Sequence, residues 1–473
     1  MIRASFILLL ATLTGVVFPT ARGACGAPLL TDEYKPMSAL ADLIKAAEPG
    51  AIILVPPGEY QGHLIIDKAI TLDGRGEVVL SGGGIGTVVE ILAPHVTIRS
   101  LTIRDSGEHV TGEPAAIRAE VGPVVIESNT LEGTLFGIDI REASGSIIRN
   151  NTIQGKDLEP GRRGDGIRLW WSHNCIIDNN TIHGSRDMVF WYSEDLRITN
   201  NIVTDSRYGL HFMYSHDTTI DGNVLDGNSV GIYLMYSNRI TMTSNSLRNN
   251  RGASGYGIGL KDCDDIVVTS NALLANRVGI YVDNSPSSVD STGLVESNMI
   301  AFNEIGLLAT PNTHDIVLTG NAFVENEEPA ATHGRGQLTS NSFSHDGRGN
   351  FWSDYAGFDH DGDGIGDLAY EPRSLFGAML AGEPNLRLFV HSPAQQAVEF
   401  TARALPELRP TPILIDPAPL AQPPTILTAV TEPATNPLAM AAAGFGLLVI
   451  AGAAAFALGR QPTLATPAGR STP

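Results

Sequence analysis

Two stretches decide the fold: "YGLHFMYSHD", Tyr208 to Asp217, and "VGIYLMYSNR", Val230 to Arg239, which repeats it 22 residues later. Both are short, β-branched or aromatic, and alternate apolar with polar residues, which is the pattern of a strand rather than a helix. The same interval extends in both directions. Asn followed by a small or apolar pair stands at Asn129, Asn151, Asn180, Asn201, Asn223, Asn245, Asn271, Asn298, Asn321 and Asn341. A Gly before Ile or Leu follows most of these, as at Gly137, Gly209, Gly231, Gly279 and Gly306, with Gly166 and Gly257 delayed by insertions and Asp187 taking the place once.

A period near 22 with short alternating runs reads as a β-solenoid, because one turn cannot bury its apolar face alone and must stack on the next. Helical repeats would need continuity where this chain places Asn and Gly. The recurring Asn fits an inward turn position whose amide bonds to the Asn of the coils above and below. The expected class is all-β: a right-handed parallel β-helix of ~22-residue coils, with a C-terminal transmembrane helix.

The expected layout follows from composition. Residues 1–23 read as a signal peptide, with Arg3, an apolar run and small residues before Ala24. Residues 24–49 hold a capping helix, and 50–345 form the β-helix. Residues 346–373 form an acidic Asp/Gly-rich motif. Residues 374–437 hold a helix and a linker, with eight prolines from Pro410 to Pro437. Leu438 to Leu458 is a run of 21 residues without charge, the length of a membrane span, and Arg460 and Arg470 place the tail 459–473 in the cytoplasm. The formal net charge of −20 argues against a nucleic-acid partner and fits an exported protein. Of three cysteines, Cys175 and Cys263 fall four coils apart, about 19 Å at strand spacing, too far to bridge.

Aligned on the Gly mark, four coils read "GIRLWWSH", "DMVFWYSE", "GLHFMYSH" and "GIYLMYSN". Alternation turns Ile167, Leu169, Phe190, Leu210, Phe212, Ile232 and Leu234 inward. Arg168, Val189, His211 and Tyr233, with Trp170, Trp191, Met213 and Met235, then face out. A protein interface over Trp170, Trp191, Tyr214, Tyr233 and Tyr236, a sugar groove, a soft-metal site and an ordinary surface all fit such a column. For the metal, thioether and imidazole suit Cu(I), and the candidate ligands are His211, Met213, Met235 and His216. No catalytic residue is assigned, because outward carboxylates do not stack in adjacent coils as sugar-cleaving chemistry requires. Asp359, Asp361, Asp363 and Asp367 match positions 1, 3, 5 and 9 of a Ca²⁺ loop, but Tyr370 stands where its bidentate Glu belongs.

The stretch "ILVPPGEYQGHLIIDKAITLDG", the paired Met-Tyr-Ser coils and the tail "NFWSDYAGFDHDGDGIGDLAYEP" together resemble the NosD family of periplasmic maturation factors for nitrous oxide reductase. The resemblance runs from about Ala39 through Pro372. It implies a non-enzymatic role in assembling a copper-sulfide centre, with an ABC-type permease and ATPase, a copper-chaperone lipoprotein and the reductase as partners. It also implies a periplasmic protein anchored in the inner membrane, and it strengthens both the copper and the interface readings of the outward column. A carbohydrate-binding or carbohydrate-active β-helix protein is the alternative.

Overall fold

A computed structural model describes residues 34–425. They form a right-handed parallel β-solenoid of about 13 turns. Three parallel sheets of fourteen, twelve and twelve strands run along it, each strand bonding to its equivalents one coil before and after. The expected signal peptide, membrane span and tail lie outside the described residues. Among the described residues no helix is long and apolar enough to cross a membrane.

The core is a set of stacked columns. On one sheet Ile126, Ile148, Ile177, Ile198, Ile220 and Met242 lie in register over six coils. On another, Leu169, Phe190, Phe212 and Leu234 do the same. All are fully or almost fully buried. Each side chain packs on its own kind above and below, so a 22-residue unit with a small apolar face gains a continuous dry interior.

Corners explain the Asn mark. The residue before each ladder Asn takes a left-handed conformation: φ is 57° at Asn150, 53° at Asn179 and 55° at Asn200. Asn tolerates that region better than most side chains. The following Asn turns inward. Asn201 donates from its backbone N and its Nδ2 to Oδ1 of Asn223, at 2.9 and 3.0 Å, and Asn223 does the same to Asn245, at 2.9 Å each. Nδ2 of Asn223 also donates to the Ile198 carbonyl at 3.0 Å. The side chain thereby satisfies backbone groups that a buried corner would otherwise leave unpaired. A shorter second ladder runs through Asn228, Asn250, Asn276 and Asn303.

Glycine is required where rungs approach closely. A Cβ on Gly209 would lie 2.6 Å from the Gly231 carbonyl oxygen of the next coil. Where this column breaks at Asp187, the register shifts between Asp187 and Val189.

Both ends are covered. The helix Ser38–Ala46 buries Leu40 and Ile44 on the first coil, as expected of a cap. At the other end the structure corrects two expectations. Asn321 is followed in the ladder by Asn350 and not by Asn341, with Nδ2 to Oδ1 at 2.8 Å. The strand Phe351–Trp352 then pairs with Ala322 and Phe323, so the sheets continue past residue 345. Residues 413–420, expected as free linker, instead lie back across this end, where Leu414 and Asp416 are fully buried. Trp352 stacks on Phe323 and on Tyr370 of the acidic motif, at 4.3 and 4.6 Å between centroids. A large ring at the end of an apolar column needs such cover. The helices Leu375–Gly382 and Pro393–Ala404 pack against each other beside this end.

Candidate metal centre

The site lies on the outer face of one twelve-stranded sheet. One outward column reads Arg118, Asp139, Arg168, Val189, His211, Tyr233 in successive coils. Two residues further along each strand the next column reads Arg141, Trp170, Trp191, Met213, Met235, Lys261. Met213 and Met235 are therefore direct neighbours on adjacent strands, and His211 lies on the Met213 strand and face. Both Met side chains are partly exposed.

The first column is not the open surface that alternation predicts. Arg168, Val189 and His211 are buried, His211 to 6% exposure. Alternation gives the face of a residue but not what stands over that face. Over His211 stand the rings of Trp191, Tyr208 and Tyr233, with centroids 6.2, 4.7 and 6.4 Å away. Over Arg168 stands Glu113 of a long preceding loop, at 2.9 Å.

The two nitrogens of His211 differ. Nδ1 lies 3.4 Å from Oδ2 of Asp187. Nε2 is buried and has no hydrogen-bond partner. Burial pushes the Asp187 carboxyl up, but hydrogen bonds from His211 and Arg207 outweigh it and hold it below the usual carboxylate range. An ionised carboxylate only accepts, so Nδ1 is the donor in this contact, and when the ring carries that one proton Nε2 offers a lone pair. A second buried nitrogen in the same spot, Nε1 of Trp191, is also without a partner. Buried orphan nitrogens are rare and cost free energy unless something binds them. The residue types fit a soft metal: one imidazole whose other nitrogen meets a carboxylate, with two methionines on the same sheet face, one on the His211 strand and one on the next.

His216 does not join this group. It sits in the corner after the strand, where its Nδ1 accepts the backbone N–H of Asn238 at 3.1 Å. His173 does the same for Glu194 at 3.2 Å. Both rings brace turns.

The remaining aromatics form two ladders flanking the site. Trp171, Tyr192, Tyr214 and Tyr236 stack in sequence at centroid distances of 4.9, 5.3 and 4.9 Å, with their planes nearly parallel. Trp170 meets Trp191 edge to face at 5.5 Å. Trp171 and Tyr214 remain 49% and 41% exposed. On the other flank Tyr208, Tyr233, Tyr256 and Tyr281 follow one another at 5.6, 6.2 and 4.4 Å. Tyr233 is part of this second ladder and not of the exposed face.

Two buried carboxylates of adjacent coils, which outward parity does not describe, come near each other. Asp165 and Asp187 are both buried at the same edge of the sheet. Oδ1 and Oδ2 of Asp165 take a two-pronged bond from Arg186, at 2.9 Å each, and Arg207 binds Asp187 in the same way. One coil earlier Asp139 is enclosed by Arg118, Arg141 and Arg168. Each carboxylate is thus bound to guanidinium and closed to a substrate, so the pair does not restore an acid-base site. The signal was present in the sequence: Arg186 and Arg207 stand 21 residues apart, and Asp165 and Asp187 stand 22 apart.

In the acidic motif the ligand atoms of Asp359, Asp361 and Asp363 lie within 4.8 Å of one another. Asp367 is turned away and accepts the His360 N–H at 2.8 Å. The other three carboxylates also accept backbone N–H groups of their own loop, as Asp359 does from Gly362 and Gly364 at 2.7 and 2.9 Å. Cys175 and Cys263 are free and buried.

Against known proteins, a family described as "Periplasmic copper-binding protein (NosD)" matches residues 154–357, the coils that carry the site. The probable ABC transporter binding protein NosD of Pseudomonas aeruginosa is 32% identical over 367 residues, covering 74% of this chain and 84% of that protein. The chain belongs to the NosD family. The NosD protein of Stutzerimonas stutzeri, named in the same words, is 30% identical over 404 residues, covering 80% of this chain and 89% of its own length. Among solved structures, the A-modules of the Azotobacter vinelandii mannuronan C-5 epimerases AlgE4 and AlgE6 share 18% and 16% identity, with TM-scores of 0.49 and 0.47. They cover 63% and 65% of this chain and 93% of each module. Their likeness to this NosD-family chain is one of fold alone.

Proposed function

We propose that the chain is a non-enzymatic, periplasmic copper-handling factor that assists assembly of the copper-sulfide centre of nitrous oxide reductase. The observation that carries this reading is the buried, unpartnered Nε2 of His211 on the strand and face that also carry Met213, with Met235 paired to Met213 on the next strand. Cu(I) favours two or three soft donors of this kind, and thioethers discriminate against harder divalent ions. The partly exposed Met pair gives a copper donor or acceptor a route by ligand exchange. His211 holds the inner position, fixed by Asp187.

The aromatic face of exposed Trp170 and Tyr214 with half-buried Trp191 and Tyr236 supports the reading that partners dock around the site, since Trp, Tyr and Met are enriched at protein interfaces. The names of the relatives support an ABC transporter as one partner. A copper-chaperone lipoprotein and the reductase are the others, and the run Leu438–Leu458 is the anchor in the inner membrane.

The test is anaerobic Cu(I) titration of the full chain against a competing chelator. One equivalent should bind tightly, and His211→Ala/Met213→Ala/Met235→Ala should lose at least a hundredfold in affinity. His216→Ala should bind like the native protein. Equal affinity in the native and triple-substituted chains removes the site.

A further inference from the structure

A second cavity, of about 610 Å³, opens between the last coils of the site sheet and the helix Leu375–Gly382. It lies several coils beyond His211 and shares no residue with the copper site. Its size is that of a small-molecule pocket. Two stretches distant in sequence build it: coil residues such as Ile305 and Leu308, and the returning chain at Ala378, Leu380 and Ile413. These give it an apolar floor.

Its charged residues are unusual for a chain of net charge −20. Arg277, Arg335 and Arg387 all line it, against one carboxylate, Glu328. Arg277 and Arg387 make only long ion pairs, and Arg277 also donates to the Ala253 carbonyl. Arg387 reaches Glu328 only at 3.7 Å, Arg277 reaches Glu304 only at 3.9 Å, and Arg335 has no ion-pair partner among the described residues. Burial pushes the Glu328 carboxyl up, with Arg387 opposing. The result is a cationic rim over an apolar floor.

We propose that this cavity binds an organic anion, a single acidic head on an apolar body, with Arg335 and Arg387 taking the head. A guanidinium offers planar paired N–H groups that match carboxylate, phosphate or sulfonate oxygens. The apolar floor rejects a free inorganic anion, and the arginines reject a neutral body, so both parts are needed.

The experiment is calorimetric titration of the full chain in lipid nanodiscs with three probes: naphthalene-1-sulfonate, 1-naphthalenemethanol and inorganic phosphate. The sulfonate should bind saturably, at least tenfold more tightly than either other probe. Arg335→Ala/Arg387→Ala should lose tenfold or more, and Ala378→Trp, which fills the space, should also lose binding. Circular dichroism confirms that each variant keeps its β-fold. Absence of saturable sulfonate binding, unchanged affinity in both variants, or tighter binding of phosphate alone overturns the proposal. Tighter binding of the neutral probe overturns it too and leaves a plain apolar pocket.

Discussion

Asp187 and His211 meet across one rung of the solenoid, with Oδ2 3.4 Å from Nδ1, and this contact leaves the opposite ring nitrogen buried and free. The carboxylate is itself fixed by Arg207 and by the Tyr208 backbone N–H at 3.2 Å. In the proposed copper site Asp187 is the residue that positions His211. Partners of this kind typically contribute 10- to 100-fold in metal affinity. Asp187→Ala should therefore weaken Cu(I) binding by about that factor. In the metal-free protein, ¹⁵N NMR of His211 should show the proton on Nδ1, and the substitution should redistribute it. Native-like affinity together with an unchanged tautomer would exclude the role.

Stability and metal binding should separate along a single strand. Phe212 is fully buried and stacks on Phe190 at 4.8 Å, whereas its neighbour Met213 is partly exposed. Phe212→Ala should cost about 3–5 kcal/mol in denaturant unfolding. Met213→Ala should cost about 1 kcal/mol or less while losing Cu(I).

The Asn ladder supplies a third prediction. Removing the Asn223 side chain strips Oδ1 from two donors of Asn201 and Nδ2 from the Ile198 carbonyl, all inside a dry core. Asn223→Ala should cost about 2–5 kcal/mol, because buried groups are left unpaired. Thr219→Ala, on the exposed face of a nearby strand, should stay within about 0.5 kcal/mol. Similar unfolding midpoints for the two would contradict the ladder's role.

The fourth prediction concerns pH. Burial drives the Asp165 carboxyl from an ordinary 3.8 up to about 6, against the pull of Arg186 and with the push of Asp187. The folded state holds this proton more tightly than the unfolded state does. The resulting stabilisation is complete below the unfolded value and is lost as pH rises through about 6. The stability difference between native protein and Asp165→Asn should therefore shrink by about 1–3 kcal/mol between pH 4 and pH 7. Urea midpoints measured across that range check the slope, and a flat difference would refute it.

Much of this architecture was readable from the chain. Period, strand alternation and the recurrent Asn place Leu210 and Phe212 in the core and Met213 beside Met235, because a solenoid converts sequence spacing directly into register. Burial on the outer face was not readable. His211, Arg168 and Val189 share the outward parity of Trp170, yet what covers His211 comes from neighbouring coils and what covers Arg168 comes from the Glu113 loop. Parity carries no information about such cover. The pairing of Asp165 with Arg186 was readable from the repeat spacing and not from parity. At the far end, Asn341 mimicked the ladder mark locally, while Asn350 took the place because Trp352 and the returning chain complete that rung.

The ladder also has a direction. Each Asn, from Asn129 to Asn321, donates toward the following coil and accepts from the preceding one, so the side-chain amides point the same way and their dipoles add. The row ends with the N–H groups of Asn350 facing the terminal coil. There the returning chain places Asp416, whose Oδ2 accepts the Asn350 backbone N–H at 2.8 Å and Nε1 of Trp352 at 2.8 Å. Burial pushes the Asp416 carboxyl up, and its hydrogen bonds from Trp352 and Asn350 pull against that. One buried aspartate of the returning chain thus takes the last free N–H groups of the ladder and seals the final coil.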